Sequence, residues 1–242
     1  MKNKVELLGH YGSDQIIAQS AWTSTSRDLS EEKLARIPKL IEMLWTEGHE
    51  TPFEKGSVHF LVTCDIASHI HLLKHRIASI NAESARYKEL KEDKYYMPED
   101  WKDIPSEKTS TDWNECLEWF SKYSNHWYHK CLEELTPVLG RKRAKESARF
   151  FKTYNSQITA DVQFNMRSFA NFLKLRGSEH AQVEIRDIAW EMLLLVQGIE
   201  GNPFKHTLKM IKPRHHKTRR KNWLTNSPWL DCNKEMKGFN AH

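Results

Sequence analysis

The sequence predicts a mixed α and β fold, a few strands set among helices, and two kinds of observation carry that expectation. Val58, Phe60 and Val62 alternate with His59, Leu61 and Thr63, and much later Ile158, Ala160, Val162 and Phe164 alternate with Thr159, Asp161 and Gln163. Alternation with period two marks a half-buried strand, because successive side chains leave opposite faces of a sheet. Elsewhere apolar residues recur every three or four positions, the spacing of a helix with one buried face.

In chain order, the segment to about residue 22 mixes Val5, Leu7, Leu8, Ile16 and Ile17 with polar residues and supports a strand and a helix start. Ser30 followed by Glu31 and Glu32 opens a helix, since the hydroxyl can cap free backbone amides and acids favour the positive end. Leu34, Ile37, Ile41 and Leu44 continue it, Gly48 supplies a stop, and Pro38 in its middle is a mild conflict. His49 to Glu54 is a polar turn containing Pro52 and leads into the first strand. Ile66, Ala67, Ile70 and Leu73 then suggest a helix that delivers a basic stretch at its end.

Residues 88–112 are charged and loop-like, with Pro98 and Pro105. Trp113, Leu117, Phe120, Trp127 and Cys131 keep to one helical face as far as about Leu135, and a second, basic helix runs from about Val138 to Phe151. After the second strand, Asn165 to Leu175 forms a short helix. Ala181, Ile185, Ile188, Met192 and Leu195 mark a longer one. No internal repeat is visible.

The 242 residues suffice for one sizeable core, and 39% hydrophobic residues with 11% aromatics are globular. The net charge of +5 is uneven, because Lys212, Arg214, Lys217, Arg219, Arg220 and Lys221 fall in a stretch without an acid. The chain therefore divides into a body, 1–211, and a basic C-terminal extension, 212–242, that also carries Trp223, Trp229 and Phe239. Bases interleaved with aromatics can bind nucleic acid, but a locally packed surface extension is the simpler account, and nucleic acid is not the expected partner. No apolar run is long enough to span a membrane and the start has no signal-peptide core, so a soluble, cytoplasmic protein without a membrane partner is expected. Cys64, Cys116, Cys131 and Cys232 lack metal-site spacing and are expected as reduced thiols.

The stretch Lys74-His75-Arg76-Ile77-Ala78-Ser79-Ile80-Asn81-Ala82-Glu83-Ser84-Ala85-Arg86-Tyr87 is the chemically dense part of the chain. Arginine forks hold phosphate oxygens bidentately while His and Lys add donors, so a phosphorylated ligand is expected from side chains rather than from a glycine loop. Neither GxGxxG nor GxxxxGK[ST] occurs. His71 and His75 share a helix face at the spacing of metal ligands, yet no acid joins them, and no metal site is assigned. Ser84 lacks the glycine-flanked elbow of a hydrolase nucleophile.

The order and spacing of Lys74-His75-Arg76, seven residues and Ser84 resemble the signature of the flavin-dependent thymidylate synthases, with Lys74 in place of an arginine. Two further blocks match: Gly48-His49-Glu50-Thr51-Pro52-Phe53-Glu54, and the run from Asn165 through Arg167, Ser168, Phe172, Leu173, Leu175, Arg176, His180, Ala181, Gln182 and Glu184 to Ile185. The three blocks together are far more specific than any one.

The resemblance implies an α+β fold with an antiparallel sheet and packed helices, assembled as a homotetramer with shared active sites. It implies an FAD site formed by Ser26, His49, Thr51, Glu54, Lys74, His75, Arg76, Ile77, Asn165, Arg167, Asn171 and His180. For a pyrimidine deoxynucleotide monophosphate it implies His71, Ser84, Ala85, Arg86, Arg149 and Arg176, with Arg86 and Arg149 on the phosphate and Arg176, the catalytic residue, against the base. The implied reaction is the reductive methylation of dUMP to dTMP, with methylenetetrahydrofolate as carbon donor and NADPH as reductant. The family usually has Gln at position 71, Arg at 74 and an acid at 82. His71 and Ala82 therefore leave open another acceptor, such as dCMP, or hydroxymethylation.

Overall fold

The computed structural model of the protein describes residues 1–26, 28–107 and 111–211. The basic extension, and with it the division expected at residue 212, lies outside the described residues. Four strands, β1 (Lys4–Tyr11), β2 (Ser57–Asp65), β3 (Ala78–Ala82) and β4 (Gln157–Asn165), form one sheet in the order β1-β2-β4-β3, antiparallel throughout. Seven α-helices among the described residues surround it: α1 (Asp14–Trp22), α2 (Glu31–Thr46), α3 (Ile66–Leu73), α4 (Trp113–Ala148), α5 (Met166–Arg176), α6 (Val183–Gln197) and α7 (Lys205–Ile211). This is the expected α+β class.

The alternation in the sequence is the alternation of the sheet. Val58, Phe60, Val62 and Cys64 of β2 and Ala160, Val162 and Phe164 of β4 are buried, whereas His59, Leu61, Thr63, Thr159 and Asp161 on the opposite face are half-buried. Helices cover the apolar face, bringing Ile17, Ile41, Phe169, Phe172, Ile188 and Met192 into one core with it, joined by Phe204 from the turn before α7. Removing these surfaces from water is the main force holding the helices to the sheet. No helix among the described residues is long and apolar enough to cross a membrane.

Ser30 caps α2 as expected, its hydroxyl accepting from the Lys33 amide. Pro38 is tolerated because it lies on the exposed side of the helix, where water can reach the Leu34 carbonyl that loses its partner. The helical pair expected around residues 113–151 is also present, but it turns at Gly140, slightly later than the sequence suggested. Gly140 adopts φ 76° and ψ 151°, open to glycine without penalty, and lets the basic half of α4 fold back on the first. Tyr128 and Leu132 from one half and Ala144 and Ala148 from the other make a small core separate from the main one.

Candidate active site

The sheet register brings the first and third motif blocks together. Ser57, at the start of β2, lies opposite Asn165, at the end of β4. The first block forms a single 3-10 turn, Thr51–Lys55, immediately before β2, and Asn165 caps α5 by accepting from the Ser168 amide at 2.8 Å. From the first turn of α5, Arg167 reaches back to Glu54 at 2.7 Å and Glu50 at 2.6 Å. Hydrogen bonding to Glu54, then the Glu50 charge, raises the affinity of the Arg167 guanidinium for its proton. Two carboxylates four residues apart thus clamp one cation between the blocks. Glu50 had no role in the sequence reading; its signal was its spacing from Glu54.

The second block meets the third at His75. The chain leaves α3 through Lys74, and the ring of His75 turns inward, edge-on to Phe172 with centroids 5.0 Å apart. His75 Nε2 accepts from Nε of Arg176, the last residue of α5, at 3.1 Å. Burial, helped by the nearby charges of Arg176 and His71, lowers the His75 pKa to about 4. A neutral imidazole with an acceptor nitrogen toward Arg176 follows. Among the described residues no carboxylate pairs with Arg176, so its charge is held in place by a neutral acceptor. His71, in the last turn of α3, is half-buried beside this pair.

The Ser84–Arg86 segment is organised separately, against the basic half of α4. The Ser84 carbonyl accepts from the amides of Tyr87 and Lys88, and its hydroxyl accepts from the Arg86 amide. Arg86 Nε donates to Glu146 at 3.3 Å, Lys145 donates to the Tyr87 carbonyl at 2.7 Å, and Arg141 donates to Glu89 at 3.2 Å. Arg149 stands one turn beyond Glu146 and is exposed, while Ala85 is half-buried. No hydrogen bond or ion pair among the described residues joins this group to His75 or Arg176.

The remaining expected residues lie on the surface. His49, Thr51, Lys74, Arg76, Ile77, Asn171 and His180 are exposed. Ser26 is exposed too, its hydroxyl bonded to Asp28. Lys74 and Arg76 have no carboxylate partner among the described residues, and they present two cations where α3 ends. That donor set suits the oxygens of a diphosphate. A cavity of about 490 Å³ opens beside Glu54, lined by Tyr11, Ile16, Gln19 and Ser57. These features fit a flavin dinucleotide held by side chains.

A family model described as "Thymidylate synthase complementing protein" matches residues 6–199. The chain belongs to this family. Among its relatives, the flavin-dependent thymidylate synthase of Pseudothermotoga lettingae is 37% identical over 198 residues, covering 81% of this chain and 85% of that one. The flavin-dependent thymidylate synthase of Clostridium tetani is 32% identical over 75% of this chain and 74% of its own. The crystal structure of a UMP/dUMP methylase, PolB from Streptomyces cacaoi, superposes with a TM-score of 0.70 over 86% of this chain and 94% of that chain at 24% identity, a shared fold. The chain is thus an enzyme of the flavin-dependent thymidylate synthase family, and the three motif blocks lie within the matched residues.

Proposed function

We propose that the protein methylates dUMP to dTMP with FAD bound, taking its carbon from methylenetetrahydrofolate and its reducing equivalents from NADPH. The observation that carries this reading is the Arg176 guanidinium held by neutral His75. A cation so placed, with no carboxylate on it among the described residues, is preorganised to stabilise negative charge that develops on a pyrimidine. Arg86 and Arg149 bind the nucleotide phosphate, and Ser84 and Ala85 shape the loop that presents it. Lys74, Arg76, Glu54, Arg167, Asn171 and His180 hold the flavin, with Ser26, His49, Thr51, Ile77 and Asn165 completing its surroundings. When bound and reduced, a flavin held by these residues would supply the hydride that turns the transferred carbon into a methyl group, while the protein supplies binding and orientation. Sites completed between copies in a homotetramer are part of the proposal.

A second reading, methylation or hydroxymethylation of another pyrimidine nucleotide such as dCMP, is favoured by one detail. Ala82 stands where the family usually has an acid, and adjacent Glu83 is committed elsewhere: its carboxylate accepts from the Thr159 amide at 2.9 Å and from Lys88 at 2.8 Å. Glu83 therefore does not substitute for the missing acid. The test is an anaerobic assay with FAD, NADPH and methylenetetrahydrofolate, offering dUMP and dCMP separately and weighing the products. A methyl group on dUMP establishes the first reading; product from dCMP alone establishes the second.

A further inference from the structure

We propose that Glu146 is a displaceable counter-ion, which holds Arg86 in place of the substrate phosphate and yields it when a dianion arrives. The inference rests on Arg86 being a phosphate ligand. Residues 141–152 contain Arg141, Lys142, Arg143, Lys145, Arg149 and Lys152 but one acid, Glu146. That acid is the residue found on Arg86. Its Oε1 takes both Nε and Nη2 of Arg86, each at 3.3 Å, so one carboxylate oxygen occupies the edge that a phosphate oxygen would use. The contact is long for a charge-assisted bond, and the Arg86 side chain is 46% exposed, so the pair is easily opened.

The released carboxylate already has a second partner. Oε2 of Glu146 lies 3.6 Å from Nη1 of Arg143, one turn earlier on the same helix. A small rotation transfers Glu146 fully to Arg143 while Arg86 takes the phosphate, and neither charge is stranded. Burial works to raise the Glu146 pKa, but hydrogen bonds from Arg86 and Arg143 and the charges of Arg86 and Lys142 hold it below the ordinary carboxylate range, so it is anionic at neutral pH. The exchange filters ligands by charge: a nucleoside without a phosphate has nothing to offer in return for Glu146. It also lowers affinity for every phosphate ligand by the strength of the pair it breaks.

The test uses the full-length, flavin-loaded enzyme and measures dissociation constants for dUMP and for inorganic phosphate in wild type, Glu146→Gln, Glu146→Asp, Arg143→Gln and Arg86→Ala. Removing the competing charge in Glu146→Gln is expected to tighten both ligands about two- to fivefold, the range of an exposed ion pair. Glu146→Asp should return toward wild type, and Arg143→Gln, which takes away the receiving partner, should weaken both ligands. Unchanged or weaker dUMP binding in Glu146→Gln would overturn the proposal and make Glu146 an orienting group or a bystander. If Glu146→Gln does not fold, unchanged binding in Arg143→Gln overturns it equally. Arg86→Ala separates the two levels: if it leaves dUMP binding intact, the assignment of Arg86 to phosphate fails; if it weakens dUMP while the other variants do nothing, only the exchange fails.

Discussion

Arg176 and His75, a hundred and one positions apart in sequence, meet through a single hydrogen bond from Nε to Nε2 at 3.1 Å. The bond uses the Nε edge of the guanidinium, and among the described residues no other hydrogen bond or ion pair takes its terminal nitrogens. The usual way to fix an arginine is a carboxylate, which would neutralise it; a neutral imidazole fixes it and preserves its charge. The edge-on contact between His75 and Phe172 and the end of α5 complete the mount.

Arg176→Ala should therefore remove the charge that faces the pyrimidine and leave the fold intact. Turnover of the nucleotide is expected to fall by about 10²- to 10³-fold, the scale for deleting one preorganised donor, while bound flavin stays. Arg176→Lys should recover little, because lysine keeps the charge but lacks the Nε edge that His75 holds. Steady-state rates together with the flavin absorbance of the purified variants check both statements. Full turnover in Arg176→Ala would take this residue out of the chemistry.

The buried imidazole makes stability depend on pH. His75 has an ordinary value of 6.5 and a folded value of about 4, so between these limits the unfolded chain binds the extra proton. Stability is complete above about pH 6.5 and declines as pH falls toward 4. The expected loss across that window from this residue is on the order of 1–3 kcal/mol, at 1.36 kcal/mol for each pH unit of displacement. Burial lowers the His69 pKa as well and gives it the same sign. Denaturant unfolding at pH 7 and pH 5 should show a flatter pH dependence in His75→Gln than in wild type.

Arg167 bridges Glu50 and Glu54, but its side chain is 42% exposed, and exposed pairs contribute about 1 kcal/mol or less. Glu54→Gln is therefore expected to shift the unfolding free energy by under about 1 kcal/mol. If the clamp serves the flavin, the same change should lower FAD occupancy at limiting FAD well beyond that small effect. Titration of the apoprotein with FAD, beside a denaturation curve, separates the two. Equal loss in both would mark the clamp as purely structural.

Local physics made strands β2 and β4 and the main helices legible. The alternation in β2 and β4 and the Ser30 cap are local statements, and each appears in the structure where the residues put it. Helix α7 was not legible, because its first turn is capped by a residue from the far end of the chain. The carboxylate of buried Asp14 accepts from the amides of His206 and Thr207 and from the Thr207 hydroxyl, so the cap that fixes the helix start is not a neighbour in sequence. Strand β3 was missed for a similar reason: five residues with exposed Ser79 and Asn81 form a strand by pairing with β4, not by their own pattern. At the site, motif spacing foretold which residues matter. It did not foretell that Glu146, an ordinary surface acid by sequence, would sit on Arg86.

The segment that carries Ser84 and Arg86 depends on a buried cation. Lys152, with a side chain 5% exposed, donates to Asp93 at 3.1 Å and to Asn125 at 2.6 Å, and its ammonium stands 4.2 Å from the centre of the Tyr128 ring. Burial lowers its pKa and Asp93 opposes that shift, a balance that holds only while the partner is present. Lys152→Ala strands Asp93, although His129 at 2.9 Å still shares the charge, and it empties space over Tyr128. The expected loss is about 2–3 kcal/mol, somewhat below the full penalty for breaking a buried pair. Because Asp93 anchors the loop that follows Arg86, nucleotide affinity should fall with it. Urea unfolding of Lys152→Ala, Asp93→Asn and the double variant should give a coupling energy of about 1–2 kcal/mol, whereas strict additivity would mean that the two side chains stabilise the protein independently.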